Sequence, residues 1–135
     1  MSFETGAVNL LDTIGNTPLV ALENLFSGYR AKVFAKLEFF NPTSSIKDRI
    51  VSHIVADAER TGQLPPGGTI VENTSGNTGA AIAMIAALNG YRAVLTMPDK
   101  VSKEKQAALT ALGAEIVVCP TNAVPGSADH YVQRA

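Results

Sequence analysis

From residue 69 onward the chain switches regularly between short runs of apolar residues and longer stretches of helical spacing. Residues 69–72, 92–97 and 115–118 read as brief strands, and 78–89 and 103–112 as the helices between them. Gly90 and Gly113 stop the two helices, and Ser102 is placed to cap the second. Strands this short, alternating with helices of this length, predict parallel βαβ units with right-handed crossovers. The expected class is α/β: a parallel three-layer βαβ sheet with helices on both faces.

The first half is less regular. Gly15-Asn16-Thr17-Pro18 reads as a turn before a short apolar strand at 19–22. In 31–37, Val33, Ala35 and Leu37 alternate with Lys32, Phe34 and Lys36, the pattern of a half-covered strand. Asn41-Pro42-Thr43-Ser44-Ser45 is a loop whose serines can cap a helix over 46–61, which Gly62 stops. Ile46, Ile50, Ile54 and Ala58 mark the expected apolar face of that helix. Pro65-Pro66-Gly67-Gly68 forms a tight connection into residue 69.

Composition narrows the function classes. With 135 residues, 46% of them hydrophobic, the chain suits one modest domain with a real core. A net charge of −1 supplies no general attraction to nucleic acid or acidic membranes, so neither is an expected partner. The apolar run at 80–88 is too short to span a bilayer. The N-terminus shows no basic region followed by an apolar core, so no secretory signal is read. Cys119 stands alone and no intramolecular disulfide can form, which suggests a cytoplasmic protein. His53, His130 and Cys119 make no metal-binding spacing, and no metal is expected.

The chemistry concentrates in Thr74-Ser75-Gly76-Asn77-Thr78-Gly79, between a strand and an apolar helix. Backbone N–H groups converge there at a helix start, a place that receives a carboxylate or phosphate. Two glycines allow close approach, and the Asn77 amide both donates and accepts. A plain helix cap with no ligand reads the same residues equally well. The stretch lacks the three-glycine spacing of a dinucleotide fingerprint and the Gly-Lys-Ser/Thr of a Walker loop. It does not resemble a nucleophile elbow. As the loop lies beyond the carboxyl end of a strand, it sits where ligands bind in such sheets, and so do residues 98–101.

Lys47 opens the helix upstream. The macrodipole disfavours a cation there by ~0.3–1 kcal/mol. An uncharged lysine amine is a nucleophile that forms Schiff bases and later a base. Alone, Lys47-Asp48-Arg49 reads as a solvated charge run. His53 reads as a packing or surface residue on the partly covered side of its helix, and Glu104 with Lys103 and Lys105 as a solvated face. Cys119 reads as a small hydrophobe ending a strand.

Three ordered stretches resemble the family of pyridoxal-phosphate enzymes that includes cysteine synthase and cystathionine β-synthase. Thr13-Ile14-Gly15-Asn16-Thr17-Pro18-Leu19-Val20 is similar to its opening signature, and Lys36 through Arg49 to its cofactor-lysine motif. Glu72 through Gly79 is similar to its asparagine loop. Related threonine deaminases and threonine synthases carry other lysine contexts, and Thr78 points away from them. The resemblance implies the N-terminal domain of a tryptophan synthase β-like fold with pyridoxal 5'-phosphate as cofactor. Lys47 would hold the cofactor as an internal aldimine. Asn77 would bond its 3′ oxygen, and Thr74, Ser75, Gly76 and Thr78 would grip the substrate α-carboxylate. The implied activity is β-replacement on serine or O-acetylserine by a sulfur nucleophile, sulfide or homocysteine. Glu38-Phe39-Phe40-Asn41, residues 97–105 and Cys119-Pro120-Thr121-Asn122 look closer to cystathionine β-synthases. Asn41-Pro42-Thr43 leans to cysteine synthase.

Two departures stand out: Ser44 where the family usually has glycine, and Asn73 where it has proline or another small residue. Family members are more than twice as long. The resemblance places their phosphate cup, and the group facing the pyridine nitrogen, beyond residue 135. It divides the chain into residues 1–40, which would join a larger domain, and 41–135, the small α/β domain. Strands 19–22 and 31–37 would then lack sheet partners. A full-length chain would be a homodimer, and the 135 residues alone catalytically incomplete. The alternative is a non-catalytic module that binds amino acids through the asparagine loop, or an inactive fragment.

Overall fold

The computed structural model describes residues 9–135; the first eight residues of the 1–40 segment lie outside the described residues. Strands β3 (Thr69–Asn73), β4 (Arg92–Pro98) and β5 (Glu115–Cys119) form a parallel sheet in the order β3-β4-β5, after a two-stranded hairpin of β1 (Leu19–Ala21) and β2 (Phe34–Lys36). Helices α2 (Asn77–Asn89) and α3 (Lys103–Ala111) make the crossovers. Both start where the sequence predicts, within a residue. Ser102 Oγ accepts from Lys105 N, and Gly90 ends α2 at φ 75°, where an L side chain is strained. A last helix, α4 (Tyr131–Arg134), follows turns and bends over residues 127–130.

The strand register divides the sheet's residues between its two faces. Leu95 and Met97 of the central strand, both fully buried, point toward α2, and Ile116 joins them from β5. Thr96 points the other way and donates from Oγ1 to the Tyr131 carbonyl at 2.6 Å, which holds α4 on the opposite face. Helix α2 is buried from Ala81 through Ala86, since the sheet, α3 and a further helix surround it. An element apolar all round is stable only when wrapped in this way.

That further helix is α1 (Lys47–Arg60), which lies against α2. Its buried residues are Asp48, Val51 and Val55. The expected apolar face is therefore corrected: Ile46, Ile50 and Ile54 are 49%, 44% and 59% exposed, and Ala58 is half-buried. Two apolar stripes compete on this helix, about 100° apart, and the valine stripe is the one that meets α2. His53 is exposed rather than partly covered. The two helices run in the same direction. Thr43 and Ser44 share a surface with Ala80 and Met84 at one end, while Glu59 Oε1 accepts from Asn89 Nδ2 and Tyr91 Oη at the other. Each helix covers about 18 Å from its first residue to that far contact, so Lys47 and Asn77 open the two helices toward the same end of the pair.

Strands β1 and β2 do not lack partners, because they pair with each other antiparallel, Leu19 opposite Lys36. The pairing is only three residues long, which shortens the 31–37 expectation to Phe34–Lys36. Leu19, Val20 and Phe34 remain exposed on it. Among the described residues no helix is long and apolar enough to cross a membrane, and no cluster of His, Cys, Asp or Glu could hold a metal.

Candidate functional site

Thr74 anchors the loop after β3. Its N–H donates to the Thr96 carbonyl at 3.0 Å, and its buried hydroxyl oxygen accepts from Gly76 N at 3.4 Å and Gly79 N at 3.2 Å. The hydroxyl thereby caps two of the donors at the start of α2. The N–H groups of Ser75, Asn77 and Thr78 find no acceptor among the described residues. Ser75, Gly76 and Asn77 are exposed, Thr78 half-buried. A Cβ on Gly76 would meet nothing within 4 Å, so the space over the turn is open. A cavity of about 150 Å³ begins there, lined by Ser75, Gly76, Asn77 and, from α3, Lys105 and Leu109. The other sequence-marked loop, at 98–101, is tied to β5's exit through Asp99, whose Oδ1 accepts from Thr121 N at 3.2 Å.

Lys47 is the first residue of α1 and is half-buried. Its N–H donates to Ser45 Oγ at 2.9 Å, so a loop serine takes one donor of the first turn, although the N-cap position itself is held by Ile46 and not by a serine. Its Nζ has no hydrogen bond or ion pair among the described residues. Lys47 stands one turn before Val51 and two before Val55, on the stripe that packs against α2. Thr78 shares a groove with Ile50 and Val51 from that same first stretch of α1. The asparagine loop and the lysine thus come from helix starts at one end of a packed pair.

The neighbours of Lys47 are not a solvated charge run. Asp48 is fully buried, accepting from Thr43 N at 2.7 Å and from the Thr43 hydroxyl. Arg49 Nε donates to Glu38 Oε2 at 2.8 Å and its Nη2 to Glu38 Oε1 at 3.2 Å. Thr17 Oγ1 adds a bond to Glu38 Oε1 at 2.7 Å, and Asn41 Nδ2 one to Oε2 at 2.9 Å. The Arg49 hydrogen bonds, then the Thr17 hydroxyl, hold the Glu38 carboxyl at about 2, well below its usual 4.5. The same pairing raises Arg49 above its ordinary value. Ser44 sits at φ 60°, the left-handed region where glycine is unstrained, which explains why glycine is the residue expected there.

Sequence reasoning missed Asp48, Glu38, Arg49, Thr17 and Asn41 as builders of the site. One signal was available: Asp48 precedes Val51 by three and Val55 by seven, which puts it on the buried face. The convergence on Glu38 joins residues up to 32 positions apart and has no local signature. Gly79 is required by packing, since a Cβ there would lie 2.7 Å from Thr74 Cγ2.

Helix-start donors without an acceptor at the carboxyl edge of an α/β sheet, and a lysine amine without a partner at the start of the adjacent helix, are groups that can receive a small anion bearing an electrophilic carbon. The aldehyde, ring oxygen and anionic groups of pyridoxal phosphate and an amino acid fit those free donors and that amine. Residues 10–135 match the family model described as pyridoxal-phosphate dependent enzyme, and the chain belongs to that family. It is 46% identical over 127 residues to a cystathionine beta-synthase of Saccharomyces cerevisiae, covering 92% of this chain and 25% of that protein. The corresponding protein of Mus musculus is 49% identical over 126 residues, 92% of this chain and 22% of its own length. A Bacillus subtilis protein named "Probable cysteine synthase" is 50% identical over 120 residues, covering 88% of this chain and 39% of that protein. The chain thus spans about a quarter of the cystathionine beta-synthases it matches.

Proposed function

We propose that these residues are the lysine-bearing part of an enzyme that replaces the β-substituent of serine or O-acetylserine with a sulfur nucleophile. The observation that carries the reading is the pairing of α1 and α2 in one direction, with Lys47 and Asn77 opening them toward the same end. Pyridoxal phosphate, when bound, supplies the electron sink that stabilises a carbanion beside the amino nitrogen. In this reading Lys47 would hold the cofactor through its amine, and the same amine, when free, would take the substrate's α-proton. Asn77 would donate to the ring oxygen. The Ser75, Asn77 and Thr78 N–H groups, with the Thr74, Ser75 and Thr78 hydroxyls and the open turn at Gly76, take the α-carboxylate and fix the α-carbon.

The cystathionine-type reading, with homocysteine as nucleophile, is favoured by residues 97–105 and Cys119-Pro120-Thr121-Asn122. Sulfide is the second reading, supported by Asn41-Pro42-Thr43 and by the Bacillus subtilis relative. Residues 1–40 would join a larger domain, in keeping with the apolar side chains exposed on the hairpin. A homodimer with a cytoplasmic location completes the proposal, the latter resting on the single buried thiol of Cys119.

Titrating the chain with pyridoxal phosphate tests it. A visible absorbance band should appear, vanish on borohydride reduction and leave its label on Lys47. No band, or a label elsewhere, defeats the cofactor assignment for this chain. Calorimetry with serine then separates catalysis from simple binding. Heat that disappears in folded Asn77→Ala without any cofactor band supports a non-catalytic amino-acid module.

A further inference from the structure

Helix α1 begins weakly. Ile46, at its N-cap, offers no side-chain acceptor, and Ser44 just upstream is held in the left-handed region. The Ser45 and Asp48 bonds tie the first turn only to its own loop, within five residues. Among the described residues, the hydrogen bonds from that turn to the N-terminal segment are all made by Arg49: its fork on Glu38, which Thr17 and Asn41 complete, and a bond from its Nη2 to Thr17 Oγ1 at 3.2 Å. Asn41 Oδ1 in turn accepts from Gly15 N at 2.8 Å. Gly15 lies so close that a Cβ would stand 2.7 Å from Arg49 Nη1, and the guanidinium is walled in on that side.

A partly exposed ion pair contributes little to stability, typically ~0–1 kcal/mol. What a two-point arginine–carboxylate contact supplies is direction. Arg49 sits two residues after Lys47 on the same turn, so whatever fixes one fixes the backbone of the other. We infer that Glu38 and Arg49 are positioning residues for the Lys47 amine. Their pair sets the first turn of α1 against the hairpin and aims residue 47 at the start of α2. The inference rests on the reading of Lys47 as the cofactor lysine.

The test uses the 135-residue chain with pyridoxal phosphate, borohydride trapping and peptide mass spectrometry. It reads the share of label on Lys47 against exposed Lys32, Lys100 and Lys103. The unaltered chain should label Lys47 in strong preference. Arg49→Lys keeps the charge but loses the fork, and Glu38→Gln keeps the shape but loses the charge. Each should lower the Lys47 share about tenfold, as misplacement of a reacting group does, with the other lysines unchanged. Circular dichroism identifies variants that remain folded, and the milder Thr17→Val, which removes a donor to Glu38 and an acceptor from Arg49 but leaves the fork, should give a smaller drop in the same direction. Undiminished preference for Lys47 in the folded variants overturns the positioning role and leaves the cofactor assignment standing. An unaltered chain that labels its lysines alike overturns both.

Discussion

Replacing Gly79 with alanine measures how tightly the asparagine loop is built. The new Cβ would lie 2.7 Å from Thr74 Cγ2, 3.3 Å from Leu95 Cδ1 and 3.5 Å from Thr74 Oγ1. Only the first contact is prohibitive, and Thr74 cannot turn its methyl aside without losing its bonds to Gly76 N and Gly79 N. Overpacking of this kind costs ~1–3 kcal/mol, and each hydrogen bond lost costs about 1 kcal/mol more. Against that, alanine is the better helix former by ~1 kcal/mol. If both bonds go, the net expectation is a loss of about 2–4 kcal/mol. Thr74→Ser deletes the clashing methyl and keeps the capping oxygen, so the double variant Thr74→Ser/Gly79→Ala should recover most of that loss. Urea unfolding followed by circular dichroism on the four proteins of this cycle gives the coupling directly. A Gly79→Ala chain as stable as the parent, or a double variant whose losses simply add, would refute the packing argument.

Three further outcomes are expected. Ser44→Gly removes a left-handed strain of ~1–2 kcal/mol and should raise the urea midpoint, partly offset by greater freedom of the unfolded chain. Because Glu38 is held at about 2, below its usual 4.5, the stability it contributes is complete above pH 4.5 and lost as pH falls from there through 2. Unfolding midpoints measured from pH 7 to 2 should therefore fall less steeply in Glu38→Gln over that window. Val51→Ala should cost about 2 kcal/mol, whereas Ile54→Ala, 59% exposed, should change stability by less than about 0.5 kcal/mol. The reverse order would restore the isoleucine face to the core.

The alternation of strands and helices after residue 69 was legible because its signals are local. Gly90 and Gly113 take up left-handed backbone at helix ends, and Ser102 caps with its own oxygen. The loop at 74–79 was legible for the same reason: a helix start after a strand presents free N–H groups wherever it occurs. The inward face of α1 was not. Isoleucine and valine stripes are both apolar, and only contact with α2 selects between them.

Residue order by itself determined that this chain makes parallel βαβ units, where the anion-accepting loop lies, and that a lysine opens the helix upstream. Tertiary structure decided what surrounds that lysine. Burial turned Asp48 from an apparent surface charge into a loop anchor, and it gathered Thr17, Asn41 and Arg49 around the Glu38 carboxylate. Caps and periodicity depend on neighbours within a turn and can be read along the chain. A hydrogen-bond network joining positions up to 32 residues apart exists only once the chain has closed on itself.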